Sequence, residues 1–521
     1  MSKDTTKANL SKQKKSVSTD IILPVIEHKD GVTPEIIEAL KKMGVHSFCL
    51  ETGEVFEIFD NILDTPTPPK VRSHKNKLGY IDPTVAGIDI GDKEIYVSIP
   101  NDKGGTTVQA FETTTPDLMA IAQAFKKAGV ITAVMESTGV YWVPLYEILE
   151  LQGFNPVLVD AKSVKNVPGR KTDVLDCQWI QVLYSSGLLR AAFRPKQEML
   201  PLRAYMRRRY EIIKTRQVSL CHMEKALQLM NVKLSTAVSD IACMSGLSIM
   251  RAIVKGDRNP IHLASLRSDR CKKDESLFIK ALTGNFQEEH IFVLQQALEQ
   301  YDFAELQLKA CDQKISSRLE VLPDITNEPL PLREKDKSKK TGRHLAPRSE
   351  KNDVSFDARG LMWRKFGIDL TVLPGIGSST ALLIMSELGG KDVSSWKNEK
   401  AFASWLKLCP GNNISGGKRR KSKKQPCANY ITQALRMAAM NTKKTQTFLG
   451  ARIRRISGKT DSPRGIKAGA HKLAIMIYFM CREGWEYHEK GVDAYEKADA
   501  ERQRKRLEKQ AKDLGLKLVA A

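Results

Sequence analysis

No long hydrophobic run occurs in this 521-residue chain. Its longest apolar stretch, Leu473–Cys481, falls far short of the ~20 residues that span a bilayer, so no membrane partner is expected. The N-terminus, Met-Ser-Lys-Asp-Thr-Thr-Lys, lacks the apolar core of a secretion signal and is Lys-rich rather than Arg-rich, which points to a cytosolic protein. The nine cysteines are scattered, and the nearest two, Cys409 and Cys427, are 18 apart. That spacing excludes a C-x-x-C zinc ribbon and argues against a disulfide framework, leaving reduced, mostly buried thiols. There is no internal repeat. A P-loop is also excluded: Lys418 would need glycines at 412 and 417 and Ser or Thr at 419, but 412 is Asn and 419 is Arg. Aromatics are only 7%, yet 41% apolar residues suffice for real cores, and the length allows about three domains.

What the chain has in excess is positive charge. Lys and Arg number 83 against 60 Asp and Glu, a formal +23. Such an excess calls for a polyanion, nucleic acid or an anionic membrane surface, and of the two nucleic acid is the expected partner.

The residues divide the chain into six stretches. Residues 1–83 are an extension and linker: polar and Lys-rich at first, then an apolar patch at Ile21–Ile26, a hairpin signal around Val45–Phe59, and a Pro/Lys-rich linker from Pro66. Between 84 and 195 the pattern sharpens into strands at Val85–Asp89, Glu94–Ile99 and Thr106–Phe111. A helix at Pro116–Lys127, a strand at Ile131–Met135, a helix at Val143–Leu151, a strand at Pro156–Val159 and a helix at Asp173–Leu183 follow. Three strands in hairpin order and then alternating α and β predict a mixed sheet flanked by helices, the order of the ribonuclease-H-like fold. Residues 196–328 read as helical. Leu294, Leu298, Tyr301, Ala304, Leu308, Cys311, Ile315, Leu319 and Leu322 cover 28 residues in eight steps, 3.5 per step. This is the coiled-coil period, and it fits an intersubunit coiled coil and one long helix packed on its own domain equally well. A basic linker at 329–360, a second, mostly helical globular domain at 361–490 and a charged, solvated helical tail at 491–521 complete the chain.

Three constellations carry chemistry. The first is four carboxylates. Asp89 ends a strand in Gly-Ile-Asp-Ile-Gly, Glu136 follows a strand in Met-Glu-Ser-Thr-Gly, and Asp173 and Asp176 are three apart at a helix start and share a face. Functional groups gather at the carboxyl ends of strands in open α/β sheets, which Asp89 and Glu136 satisfy if their strands are neighbours. Crowded carboxylates repel one another and need a hard cation, and Mg²⁺ with oxygen ligands fits. Taken singly, Asp173 could instead be a helix-start charge and Asp89 a turn residue.

The second constellation is Ile414-Ser415-Gly416-Gly417 followed by Lys418, Arg419, Arg420, Lys421, Lys423 and Lys424, six cations in seven residues. Glycines beside a serine let a phosphate approach its hydroxyl, and the cations would hold that phosphate; a solvated basic loop touching phosphates is the plainer reading. The third is Leu-Pro-Gly-Ile-Gly at 373–377 before an apolar helix, with Gly375 and Gly377 in a hairpin whose N–H groups can cradle a phosphate. It resembles a helix-hairpin-helix; a plain tight turn is the alternative, and Gly377 is the glycine either reading requires. His471, on an apolar helix with Leu473, Ile475 and Ile477, reads as a packing residue.

Together these motifs resemble the DEDD transposases of the bridge-RNA insertion sequences. The resemblance runs from about Thr84 to Ala498 and rests on Gly-Ile-Asp-Ile-Gly, Met-Glu-Ser-Thr-Gly, Gly-Arg-Lys-Thr-Asp-Val-Leu-Asp-Cys-Gln-Trp at 169–179, Leu-Pro-Gly-Ile-Gly and Ile-Ser-Gly-Gly-Lys in this order. It implies a RuvC-like domain binding Mg²⁺ through Asp89, Glu136, Asp173 and Asp176, a coiled-coil dimerisation region, and a C-terminal domain whose nucleophile maps to Ser415. It also implies a structured guide (bridge) RNA pairing with double-stranded donor and target DNA, a bacterial, nucleoid-associated location, and composite sites in a homo-oligomer, a dimer of dimers. The long N-terminal lead, the long linker and the dense cation run depart from the family pattern. Two competitors remain: a Mg²⁺-dependent RuvC-like nuclease of the Holliday-junction-resolving type with Ser415 a mere loop residue, and a non-catalytic nucleic-acid binder, against which the intact carboxylates argue.

Overall fold

The strands between Val85 and Glu112 form because short β-rich runs alternate between two turns, and all three pair as a meander. β5 (Val85–Ile90) is antiparallel to β6 (Glu94–Pro100), which is antiparallel to β7 (Thr106–Glu112). The computed structural model describes residues 25–26, 47–50, 55–57, 72–73, 82–101, 105–137, 139–160, 164, 173–271, 273–333, 352–409, 413–415, 418–420, 427, 429–484, 486–488 and 490–513. The chain divides into two compact units, Met1–Phe193 and Arg194–Ala521.

In the first unit, β8 (Thr132–Glu136) pairs parallel with β5, and β9 (Asn155–Val159) parallel with β8. With β4 (Arg72–Ser73) on the far edge, the sheet order is β4-β7-β6-β5-β8-β9. The expected mixed sheet is therefore present. One difference is that Arg72 and Ser73, read as linker, pair with Val108 and Thr107 as an edge strand. A separate small sheet joins β1 (Val25–Ile26), β2 (Ser47–Leu50) and β3 (Val55–Glu57), the last two as the expected hairpin.

The faces of the large sheet follow the two-residue period of its strands. Ala86, Ile88, Ile90, Ala133 and Met135 point to one side, where α1 (Thr115–Lys127) and α2 (Trp142–Leu151) add Ile121, Phe125, Leu145 and Leu149. Val85, Val134, Val157 and Val159 point to the other, where α3 (Asp173–Ser185) adds Ile180 and Leu183. At Gly87 this second face has no side chain. A Cβ there would lie 2.1 Å from the Cys177 carbonyl oxygen and 2.7 Å from Gln181 Cβ, so only glycine lets α3 rest on β5. Buried amides lock the contact: Ser98 Oγ donates to Gln181 Oε1 at 2.5 Å, Gln181 Nε2 to the Val85 carbonyl at 2.6 Å, and Gln178 Nε2 to Thr106 Oγ1 at 2.8 Å.

The second unit is built on two long helices, α4 (Leu200–Leu229) and α9 (Glu288–Val321). They run antiparallel, since Ile212 packs with Ala304 and Leu308 while Leu220–Leu227 pack with Leu294–Tyr301. The 3.5-residue seam of α9 is thus filled by α4 of the same chain, the second of the two readings open from sequence: Leu294, Leu298, Tyr301, Ala304, Leu308, Ile315 and Leu319 are all buried. Four short helices, α5 (Leu234–Ala237), α6 (Met244–Val254), α7 (Pro260–Ser265) and α8 (Glu275–Leu282), close one end of the pair around Met230, Ile249, Phe278 and Leu282.

The remaining helices are α10 (Ala358–Phe366), α11 (Ser378–Leu388), α12 (Glu399–Trp405), α13 (Tyr430–Thr442), α14 (Phe448–Lys459), α15 (Ser462–Glu483) and α16 (Gly491–Asp513). Two differences from expectation follow from tertiary contacts. The end of the supposed linker is structural, because Asn352 and Asp353 carbonyls accept from the buried Arg209. The supposedly solvated tail docks through the buried Tyr495 and Asp499, the latter paired with Arg455 of α14. Among the described residues no helix is long and apolar enough to cross a membrane.

Candidate functional site

Two candidate centres emerge, one in each unit. In the first, Ile88 pairs with Met135, so Asp89 and Glu136 follow side by side at the same end of adjacent parallel strands. Both share the face of Val85 and Val134, which α3 covers. Both are half-buried, as is Asp176. The close approach at Gly87 sets the α3 turn carrying Asp176 against β5. The Cys177 thiol registers this: burial first, then the Asp89 carboxylate, with Asp176 adding to them, pushes it up to about 12.

The expectation that the strands of Asp89 and Glu136 are neighbours therefore holds. Asp173 is the first residue of α3, and its side chain lies outside the described residues. An all-oxygen donor set on one sheet face has the chemistry of a hard divalent cation site and fits Mg²⁺. Among the described residues, however, no three His, Cys, Asp or Glu side chains stand close enough to hold a metal ion.

The second centre is the serine segment. β10 (Asn413–Ser415) and β11 (Lys418–Arg420) form an antiparallel hairpin with Ser415 opposite Lys418 as the last pair, so Gly416 and Gly417 are the two residues between them. The side chains of Ser415, Lys418, Arg419 and Arg420, and all of Lys421, Lys423 and Lys424, lie outside the described residues. Both ends of the segment are pinned at one carbonyl: Thr432 Oγ1 donates to the Leu406 oxygen at 2.7 Å and Cys427 Sγ contacts it at 3.9 Å. Asn429 caps α13, accepting from the Ile431 and Thr432 N–H groups.

Sequence reasoning missed the contacts that hold the helices on either side of this segment. Helix α4 carries polar side chains that grip α11 and α13. The buried Glu387 of α11 accepts from Arg203 Nε at 2.9 Å and from Arg207 Nε and Nη2 at 2.5 and 2.8 Å. Tyr430, which starts α13, donates to Glu211 at 3.2 Å, stacks edge-on with Tyr210 at 5.3 Å and lies under Arg207 at 4.9 Å. Arg209, 3% exposed, donates to Asp312 at 2.6 Å and to Ser379 Oγ at 3.1 Å. The available signal was a lone glutamate inside the apolar run of α11 and five arginines within the single helix 200–229.

The turn at 373–377 corrects one expectation. Gly375 carries a backbone constraint: its φ is +77°, and a Cβ would lie 2.4 Å from the Ala438 carbonyl and 2.5 Å from Thr442 Oγ1. Thr442 Oγ1 also donates to the Pro374 carbonyl at 3.0 Å, so the turn seats into α13. Gly377 is an extended N-cap at φ −94°. The Ser379 N–H that opens α11 donates to Asp353 at 3.1 Å, so the chain's own carboxylate takes one donor of the supposed phosphate cradle.

Comparison with known proteins bears on both centres. Residues 86–232, which include Asp89, Glu136, Asp173 and Asp176, match a transposase family model, the DEDD transposase of IS110 type. Residues 369–454, which include Gly375, Gly377, Ser415 and the cation run, match the Transposase IS116/IS110/IS902 family. No curated protein matches the chain.

Proposed function

We propose, from the premise that the two matches support an insertion-sequence transposase of the IS110/IS116 kind, that this chain cleaves and exchanges DNA strands under the direction of a structured RNA, with Ser415 as nucleophile. Transposase families imply a DNA-binding enzyme that cleaves and recombines DNA. The serine, the guide RNA, Mg²⁺ and the homo-oligomer are the finer reading.

The observation that carries it is the Ile88–Met135 pairing, which aligns Asp89 with Glu136 facing the helix of Asp176, in a chain that also presents a serine at the tip of a basic hairpin. In this reading the Ser415 hydroxyl forms an Oγ–P bond, one P–O bond to deoxyribose breaks, and the proton ends on the departing sugar hydroxyl. A hydroxyl of the incoming strand then reverses the exchange, so the phosphodiester energy is kept. Lys418, Arg419, Arg420, Lys421, Lys423 and Lys424 hold the phosphate and offset its developing charge. Asp89, Glu136, Asp173 and Asp176 would hold Mg²⁺, which polarises a phosphodiester oxygen when bound.

The test is strand exchange on a donor-end duplex with Mg²⁺ and the element's non-coding RNA. Asp89→Asn and Asp176→Asn should each abolish exchange while melting at the wild-type temperature. Full exchange by either variant would overturn the carboxylate assignment.

A further inference from the structure

Helices α14 and α15 pack closely because Gly469 has no side chain; a Cβ there would lie 2.5 Å from Ile453 Cδ1. This contact brings cations of the two helices together. On α14, Arg455 pairs with Asp499 and Arg454 donates to the Lys443 and Thr445 carbonyls. Arg452 differs: its Nε is buried and finds no hydrogen-bond partner among the described residues. Across from it on α15, Lys467 and His471 lie one helical turn apart on one face, with Lys472 adjacent.

Burial, then Arg452, Lys472 and Lys467 in that order, hold the His471 imidazole below its ordinary range, and burial and Arg452 hold Lys472 below its own. Arg452, Lys467 and Lys472 are of one sign beside an imidazole held towards its neutral form, and half-buried cations crowded in this way cost free energy unless an anion is supplied.

Where this cluster sits gives it meaning. Lys467 Nζ donates to the Cys409 carbonyl at 3.5 Å, and Cys409 precedes Ser415 by six residues. An extended chain of that length spans at most about 20 Å, or roughly six nucleotides at about 3.4 Å per phosphate along one strand.

We infer that Arg452, Lys467, His471 and Lys472 form an anion site for a backbone phosphate of the DNA strand, a few nucleotides from the bond presented to Ser415. The site rests on the proposed function only in taking DNA as its ligand. Arg452 donates through Nε and its guanidinium fork, Lys467 reaches in from the exposed side, and His471 and Lys472 line the half-buried floor. It would fix strand register and carry no base information.

The test is binding of random-sequence duplex DNA to the full chain carrying Ser415→Ala, by fluorescence anisotropy across a salt series. Lys467→Gln, at an exposed position that leaves folding intact, should lower the log–log salt slope, and adding Arg452→Gln should bring the total loss to about 0.9, the value for one phosphate. The same series on a structured RNA should keep its slope. An unchanged DNA slope in Lys467→Gln, or a loss confined to RNA, would overturn the site. Because no cleavage is read, a failure here leaves the serine chemistry standing, and a missing serine adduct leaves this site standing.

Discussion

At Gly375 one hydrogen atom in place of a methyl decides whether the 373–377 turn can seat against α13. The left-handed φ and the 2.4 Å approach to the Ala438 carbonyl both exclude a side chain. Gly375→Ala should destabilise the second unit by about 3 kcal/mol, and Gly377→Ala, at an ordinary extended N-cap, by less than about 1 kcal/mol. Denaturant midpoints of the two variants check this, and the reverse order would refute the seating of the turn. The sequence made the turn legible but could not say which glycine bears the constraint, because the partner carbonyl comes from 63 residues away. Cysteine chemistry is a second test at this scale. Burial pushes the Cys481 thiol up to about 12, so at pH 8 only about one thiol in ten thousand is thiolate. Iodoacetamide should label the exposed Cys221 in the native chain and reach Cys481 only after unfolding. Rapid native labelling of Cys481 would mean that α15 is not seated as described.

Among the elements, α4 is what turns the helical middle and the C-terminal helices into one unit. Its buried Arg209 meets Asp312 of α9, whose other oxygen accepts from the Ser355 N–H at 2.8 Å. Removing the carboxylate strands a guanidinium that is almost wholly buried, so Asp312→Ala should cost about 3–5 kcal/mol. Urea denaturation followed by helical signal measures it, and a loss below about 1 kcal/mol would show that solvent reaches Arg209. The strands and helices of the first unit were readable because alternation and the 3.6-residue period are local signals. The partner of the α9 seam was not, because a 3.5-residue apolar repeat looks the same whether the facing helix comes from another subunit or returns antiparallel from the same chain. The apolar stripe of α4 is itself interrupted by arginines whose partners lie 89–184 residues away, and no window of sequence contains such a pair.

For the whole molecule, the carboxylate centre was the more legible half. The sequence placed Asp89 and Glu136 at strand ends and left open whether those strands are neighbours; β5 pairs with β8, and their register aligns the two carboxylates. The serine segment was legible as a motif only; the α4 side chains that hold α11 and α13, on either side of it, lie outside that motif. The net +23 concentrates its densest run at 418–424. Replacing Lys418, Arg419, Arg420 and Lys421 with Gln should flatten the log–log salt dependence of duplex binding by about 0.9 for each phosphate the run neutralises; an unchanged slope would mean the run touches no phosphate. The central claim, a covalent serine, has a direct measurement of its own. A suicide DNA substrate, nicked so that religation fails, is incubated with the protein, Mg²⁺ and the element's non-coding RNA, and the adduct is mapped by tandem mass spectrometry. The account predicts a phosphodiester-linked species at Ser415, and none in Ser415→Ala, which still binds DNA and RNA; cleavage with free ends in Ser415→Ala would instead make the protein a metal-dependent nuclease and contradict it.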